Sequence, residues 1–90
     1  MDFPWDENKR QRNLRNHGID FERAKEIWKG PVLEFPSPQT GHGEERFLAT
    51  GLSAGRLITV VFTWRGTSRR IISARGARQH ERENYQEKIG

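Results

Sequence analysis

The sequence predicts an α+β domain in which two N-terminal helices are followed by a four-stranded antiparallel sheet and a C-terminal helix. Capping residues and an apolar stripe mark two helices before residue 30. β-branched and aromatic residues dominate from residue 32 onwards, and a polar segment with helical periodicity follows residue 76. Ninety residues are enough for one small core, so we expect a single domain over residues 1–90.

The two N-terminal helices are predicted from their ends. Asp6 is a suitable N-cap for the helix Glu7–His17, and Gly18 stands where a left-handed residue commonly ends a helix. The body of this helix is polar apart from Leu14, so we expect it on the surface with Leu14 as its apolar anchor. The second helix spans residues 20–29 and begins with another N-cap aspartate.

Four strands and a last helix are predicted after residue 31. Residues 57–64 give the clearest strand pattern, with so few polar residues that neither face should be solvated, which predicts a central position in the sheet. The strands cover residues 32–35, 44–52, 57–64 and 69–75, with a loop at residues 39–43 and the last helix at residues 77–88. In the fourth strand, alternation places Arg69, Ile71, Ser73 and Arg75 on one face and Arg70, Ile72 and Ala74 on the other.

Arginine is concentrated near the C-terminal end. Residues 65–82 contain six arginines and a single acid, Glu81, so the segment has a net charge of +5, above the +4 of the whole chain. The guanidinium fork matches phosphate oxygens and stacks on flat bases. RNA or DNA is therefore the first partner to consider, although a solvated basic face that only aids solubility has the same composition.

Composition restricts the other classes of function. The chain has no cysteine, no apolar run near the roughly 18 residues that cross a bilayer, and no signal-peptide pattern, so we expect a cytoplasmic protein that does not bind membranes. His17, His42 and His80 share no metal-ligand spacing, and we expect neither a metal nor another cofactor. Because only 32% of residues are hydrophobic, we expect a partner protein to complete the burial.

One face of the last helix carries candidate catalytic side chains. Arg78, Glu81, Arg82 and Tyr85 follow the i, i+3, i+4, i+7 spacing of a single helical face. In one interpretation, Tyr85 and Ile89 anchor the helix on the sheet while both arginines pair with Glu81. In the other, the same anchoring holds these groups around a phosphodiester.

RNA cleavage without a metal ion requires three tasks. The 2′-hydroxyl loses a proton, the pentavalent phosphate is stabilised, and the leaving 5′-oxygen gains a proton. Arg75, Arg78 and Arg82 suit the second task because arginine stays charged at any working pH. Glu81 and Tyr85 carry groups that can move a proton, so these five residues are candidates for this chemistry if the chain is a ribonuclease.

We predict that further basic residues bind RNA. They are Arg65, Arg69, Arg70 and His80 of this segment, and Lys25 of the second helix, whose ammonium could lie beside Phe21 and Trp28. His80 can also move a proton, but it lies off the helical stripe, where a solvated histidine is the simpler alternative. For Lys25 the simpler alternative is a lysine that extends into water. If the hairpin turns at residues 66–67, Arg65 and Arg75 lie at opposite ends, roughly 23 Å apart, so a site that contains both is not assured.

Several blocks of sequence run along nearly the whole chain. The most specific is Arg70-Ile71-Ile72-Ser73-Ala74-Arg75. The others are residues 3–6, 9–13, 16–22, 43–46 and 63–65, and then Ala77, Glu81, Arg82 and Tyr85. Together and in this order, the blocks resemble the BrnT toxins of bacterial toxin–antitoxin pairs, which are related in fold to RelE.

The resemblance implies a RelE-like ribonuclease toxin that cuts RNA without a metal and inhibits translation. The expectation of catalysis rests on this resemblance, and with it we predict that the catalytic residues are Arg75, Arg78, Glu81, Arg82 and Tyr85. It also implies a cognate BrnA-like antitoxin that binds operator DNA and represses its own operon as a complex, so that this chain meets DNA only through its partner. The residues by themselves leave two alternatives open. One is a non-catalytic module that binds RNA or DNA, and the other is a domain whose arginine face docks a partner chain.

Overall fold

The computed structural model describes residues 3–38 and 43–90, so most of the predicted loop at residues 39–43 lies outside the described residues. Helices and strands follow one another in the predicted order. They are α1 (Glu7–His17), α2 (Phe21–Ala24), a 3₁₀ helix (Lys25–Lys29), β1 (Leu33–Pro36), β2 (Phe47–Ser53), β3 (Arg56–Arg65), β4 (Ser68–Gly76) and α3 (Gln79–Lys88).

The first helix begins and ends as predicted. The Asp6 carboxylate accepts a hydrogen bond of 2.8 Å from the backbone N–H of Asn8, which satisfies one of the free donors of the first turn. Gly18 ends the helix with φ 70°, and its N–H bonds to Leu14 O. This left-handed conformation favours glycine, which explains why a glycine at this position predicts the end of the helix.

The predicted apolar anchor of α1 is wrong. Leu14 is 41% exposed, whereas Asn13 in the same helix is only 5% exposed. The Asn13 side chain donates from Nδ2 to Ile19 O and Ala74 O, both at 2.9 Å, and its Oδ1 accepts from the Ala74 N–H at 3.0 Å. A buried amide therefore holds α1 on β4, and no hydrophobic pattern could indicate it.

The second predicted helix, residues 20–29, is α-helical only over α2. Its N-cap is the predicted aspartate, but its second half tightens into the 3₁₀ helix. Phe21, Ala24 and Ile27 are fully buried and recur every three residues. That spacing keeps all three near one face when the chain has three residues per turn, which explains the change from α to 3₁₀ geometry.

The sheet is the predicted antiparallel meander, in the order β1-β2-β3-β4. β3 lies between β2 and β4, which confirms its predicted central position. Strand ends differ from the predicted ones by a few residues, as expected where the ends depend on pairing. The other edge of β4 is partly covered, because the Ile71 N–H donates to Pro4 O at 3.0 Å.

The predicted faces of β4 are wrong because the ladder with β3 contains a β-bulge. Val61 is opposite Ser73 and Phe62 is opposite Ile71, so Ile72 has no opposite residue. The extra residue reverses the alternation. Arg69 and Ile71 share one face of the sheet, while Arg70, Ser73 and Arg75 share the other.

Helices cover both faces of the sheet. α1, α2 and the 3₁₀ helix lie on the face that carries Phe62 and Ile71, where they build the apolar core. Gly51 of β2 allows this close approach, because a Cβ there would lie 2.9 Å from the Cβ of Ile27. α3 lies on the opposite face, here called the α3 face. Within residues 3–38 and 43–90, no helix has the length and apolar character needed to cross a membrane.

Candidate nucleic-acid interface

Glu81 connects α3 to the sheet and holds Arg75 in place. Its carboxylate accepts hydrogen bonds from Arg75 Nη1 at 2.7 Å and from Nη2 at 2.9 Å. It also accepts from Thr59 Oγ1 at 3.0 Å and from the Arg78 backbone N–H at 2.8 Å. Arg75 is near the end of β4, Thr59 is opposite it on β3, and Arg78 caps α3. The two-pronged contact leaves the Arg75 guanidinium little freedom to reorient.

The Glu81 carboxyl is ionised at neutral pH. Burial by itself would raise its pKa, but the hydrogen bonds from Arg75, from the Arg78 backbone and from Thr59 outweigh burial and lower the pKa from 4.5 to about 2. The side chain is 9% exposed, and its oxygens already accept four hydrogen bonds. Such a carboxylate is better suited to orient Arg75 than to carry a proton.

The Arg75–Glu81 pair predicts a fold that is sensitive to acid. The pKa of Glu81 is lower in the folded protein than in the unfolded chain, so the unfolded chain binds the proton more tightly. Its contribution to stability is therefore complete above about pH 4.5 and is lost as the pH falls toward about 2. A shift of this size corresponds to roughly 3 kcal/mol.

Urea unfolding of Glu81→Gln and wild type at several pH values measures this contribution. We expect the difference in unfolding free energy between them to narrow as the pH falls from about 6 to about 2.5. Glu83→Gln is the matched control, because Glu83 is an exposed glutamate of the same helix. A difference between wild type and Glu81→Gln that stays constant with pH would contradict the role of the ion pair.

Three arginines surround a cleft beside this pair, on the α3 face. Arg46 directly precedes β2, Arg75 is near the end of β4, and Arg78 caps α3. Arg46 Nε is 3.9 Å from Glu44 Oε1, too far for a hydrogen bond, and the Arg78 side chain forms no ion pair with any described residue. Positive charge is therefore available to an anion. This arginine cleft is lined by Ser37, Pro38, Arg46, Leu48, Val61, Arg75 and Arg78.

An apolar pocket lies next to the arginine cleft and shares Pro38 and Leu48 with it. Phe35 of β1 contributes an aromatic ring that is 44% exposed, and α3 contributes the polar side chains of His80 and Asn84. The structure thus brings His80 close to the arginines. This apolar pocket is lined by Leu33, Phe35, Pro36, Pro38, Leu48, Thr50, His80, Glu81 and Asn84.

Arg82 and Tyr85 make structural contacts. Tyr85 is 4% exposed, and its hydroxyl donates to Pro31 O at 3.1 Å, which anchors α3 beside the start of β1. Arg82 Nη1 donates to Ala77 O at 2.8 Å. The interpretation that pairs Arg78 and Arg82 with Glu81 is wrong, because Glu81 pairs with Arg75, which β4 brings to the helix.

Arg65 and Arg70 lie on the α3 face but away from the arginine cleft. Arg75 is opposite Thr59, and Arg65 is at the hairpin end of β3, about 20 Å further along the strand. Arg65 Nη2 contacts Glu44 Oε2 at 3.5 Å, and Arg70 is opposite Thr63. The structure does not bring Arg65 and Arg75 into one site.

Arg69 and Lys25 do not face the arginine cleft. The bulge turns Arg69 to the other face of the sheet, where its guanidinium lies 4.6 Å from the ring centroid of Trp64 and donates to Glu34 Oε2 at 3.1 Å. Lys25 Nζ pairs with Glu22 Oε2 at 3.1 Å, within the N-terminal helical region. Both cations are engaged by neighbouring residues of the protein.

Arginine and apolar side chains dominate the site. In the parts of the chain that the structure describes, no group of three or more His, Cys, Asp or Glu side chains is placed to hold a metal ion. His42, one of the three histidines considered as metal ligands, lies outside the described residues.

Two residues of the site, Arg46 and Phe35, are missing from the predicted set. Arg46 precedes the arginine-rich segment and joins it only through the pairing of β2 with β3. The sequence could have indicated Arg46, because it lies two residues before Leu48 and residues two apart in a strand share a face. Phe35 has no comparable signal, because an aromatic residue in a short strand is typical of a core residue until the edge position is known.

Comparison with known protein families gives a match over residues 5–81, to the family described as the ribonuclease toxin BrnT of type II toxin–antitoxin systems. The matched region contains the whole sheet and the first turn of α3, and therefore Arg46, Arg75, Arg78 and Glu81. No curated protein was found to match the chain. Since the family match covers most of the residues, it confirms the resemblance, and the chain belongs to the BrnT ribonuclease toxins of type II toxin–antitoxin systems.

Proposed function

We propose that the arginine cleft binds an RNA phosphodiester and that the protein cleaves it without a metal ion. One observation carries this proposal: Arg46, Arg75 and Arg78 surround a single cleft, and ionised Glu81 fixes Arg75. Donors that are already in position stabilise the charge developing on a pentavalent phosphate without further reorganisation. Membership of a ribonuclease toxin family supports RNA as the substrate.

The predicted catalytic residues have two kinds of role in this proposal. Arg75 and Arg78 contact the phosphate, and Arg82 supplies further positive charge one turn along α3. Glu81 and Tyr85 act through these arginines. Glu81 orients Arg75, and Tyr85 holds α3 against the sheet so that Arg78 stays at the cleft.

Proton transfer requires a group that is not already engaged. The Glu81 oxygens accept four hydrogen bonds, and the Tyr85 hydroxyl donates to a backbone carbonyl. His80 is exposed in the wall of the apolar pocket, next to the arginine cleft. Imidazole can accept a proton at one ring nitrogen and donate one from the other, so we assign proton transfer to His80 within this proposal.

A non-catalytic RNA-binding module is the second candidate function. The engagement of Glu81 and Tyr85 favours it, because a site whose proton carriers are held in structural contacts can bind RNA without cleaving it. The family description favours cleavage. The two functions differ in whether product strands appear.

Incubation of the purified protein with total RNA in EDTA distinguishes them. We expect cleavage to continue in EDTA, since the arginines supply the positive charge that a metal ion would otherwise provide. An Arg78→Ala preparation, purified in the same way, controls for contaminating ribonucleases. Cleavage that stops in EDTA and returns with magnesium or manganese would contradict metal independence, and binding without cleavage under both conditions would favour the module.

We further propose a RelE-like toxin that acts in the cytoplasm and inhibits translation. Type II toxin families act with an antitoxin, and we expect a BrnA-like antitoxin here. Acidic or helical segments of this partner would cover the arginine cleft and block RNA both electrostatically and sterically. The antitoxin would also supply the DNA-binding element, so operator DNA would be reached only through the complex.

A further inference from the structure

The apolar pocket exposes an aromatic ring beside a cationic cleft. Phe35 lies on edge strand β1, opposite Leu48 of β2, and is 44% exposed. The pocket and the arginine cleft share the lining residues Leu48 and Pro38, so they are adjacent and one ligand can contact both. Asn84 adds an amide, which has both donors and an acceptor, to the pocket wall.

This combination fits a nucleotide better than it fits either a phosphate or an apolar side chain alone. Single-stranded nucleic acids are bound where a basic groove follows the backbone and aromatic rings stack on the bases. The edge of an unpaired base requires donors and acceptors such as those of an amide. The arginines line the cleft, Phe35 and Asn84 line the pocket, and Leu48 belongs to both linings.

We infer that the apolar pocket takes one unpaired nucleobase of the RNA, which stacks on Phe35 while the adjoining phosphate lies in the arginine cleft. This inference rests on the proposed function, because it needs RNA in the arginine cleft. Phe35 then contributes to the affinity of the RNA and to the choice of nucleotide beside the bound phosphate. Asn84 contacts the edge of that base.

Binding of single strands that cannot be cleaved tests the inference. The probes are fluorescent 2′-fluoro RNA strands, which lack the attacking hydroxyl, and a strand of the same length whose residues are all abasic. Dissociation constants are measured in EDTA by fluorescence anisotropy for wild type, Phe35→Leu, Phe35→Trp and Arg78→Ala. Phe35→Leu keeps apolar bulk and removes only the ring, and thermal unfolding checks that every variant is folded.

We expect Phe35→Leu to weaken binding of the base-bearing strand about 10-fold and to leave binding of the abasic strand unchanged. Phe35→Trp should restore the affinity for the base-bearing strand, and Arg78→Ala should weaken both strands. If Phe35→Leu binds both strands like wild type while Arg78→Ala weakens both, the inference is wrong and the proposed function stands. The pocket is then open to a protein partner. If wild type binds neither strand, both the inference and the proposed function are wrong.

Discussion

Arg78→Ala should slow RNA cleavage by about 100-fold and leave the unfolding temperature of the protein unchanged. The Arg78 side chain lies at the arginine cleft and forms no ion pair with any described residue. Only its backbone N–H bonds to Glu81, and alanine keeps that group. The substitution therefore removes a positive charge from the proposed phosphate site without breaking the contacts that hold α3.

Arg75→Ala is a less informative variant, because it would lower activity and stability together. It leaves the buried Glu81 carboxylate without its guanidinium partner, and breaking a buried pair on one side typically costs about 3–5 kcal/mol. Loss of cleavage could then reflect loss of folded protein. Arg78 separates the two effects because its side chain is exposed.

Single-turnover cleavage of a short RNA, with circular dichroism melting of the same samples, measures both quantities for Arg78→Ala. Arg15→Ala is the matched control, since Arg15 is an exposed arginine of α1, on the other side of the sheet. A wild-type rate in Arg78→Ala would remove Arg78 from the phosphate site. An equal decrease in Arg15→Ala would mean that net charge, and no particular cleft, controls the rate.

The order of elements and both ends of α1 could be predicted because they depend on local chemistry. Asp6 and Gly18 mark the ends of α1 through capping and a positive φ, both of which depend on residue type alone. The β-branched run in β3 predicts a central strand because it leaves no polar face for solvent. The residue types within each segment are therefore enough to predict the ends of α1 and the central position of β3.

The parts that could not be predicted depend on contacts between distant segments. The bulge opposite Val61 and Phe62 changes which face Arg69 occupies, and nothing within β4 itself marks the extra residue. The arginine that pairs with Glu81 is supplied by β4, and helical spacing within α3 cannot reveal it. Arg46 reaches the cleft only because β2 pairs with β3. Residue types predicted a phosphate-binding site, and tertiary pairing determines which residues line the arginine cleft.

The largest difference between the predicted and the observed fold is at Asn13. This buried polar residue, and not the predicted apolar Leu14, holds the surface helix α1 on the sheet. Its amide bonds to three backbone groups, Ile19 O, Ala74 O and Ala74 N–H, and all three contacts are buried. A buried polar group without a partner costs about 1–3 kcal/mol. The loss of Asn13 would leave all three groups unsatisfied unless α1 moves away from β4 and admits water, which also destabilises the fold.

We therefore expect Asn13→Ala to lower the free energy of unfolding by at least about 3 kcal/mol, a large part of the stability of a small domain. This corresponds to a decrease in Tm of roughly 10–25 °C, measured by circular dichroism. Leu14→Ala is the control because Leu14 is the apolar residue predicted to anchor the helix. Leu14 is 41% exposed, and its replacement should cost less than about 1 kcal/mol.

Asn13→Asp tests the direction of the hydrogen bonds. The carboxylate can still accept from the Ala74 N–H, but its second oxygen would face the carbonyls of Ile19 and Ala74, which repel it. Burial and this repulsion raise the pKa of the new carboxyl in the folded protein, so the folded state binds the proton more tightly than the unfolded state does. The variant should gain stability relative to wild type as the pH falls from about 7 to about 4. A pH-independent difference from wild type, or equal Tm values for Asn13→Ala and Leu14→Ala, would show that the amide does not hold α1 on the sheet.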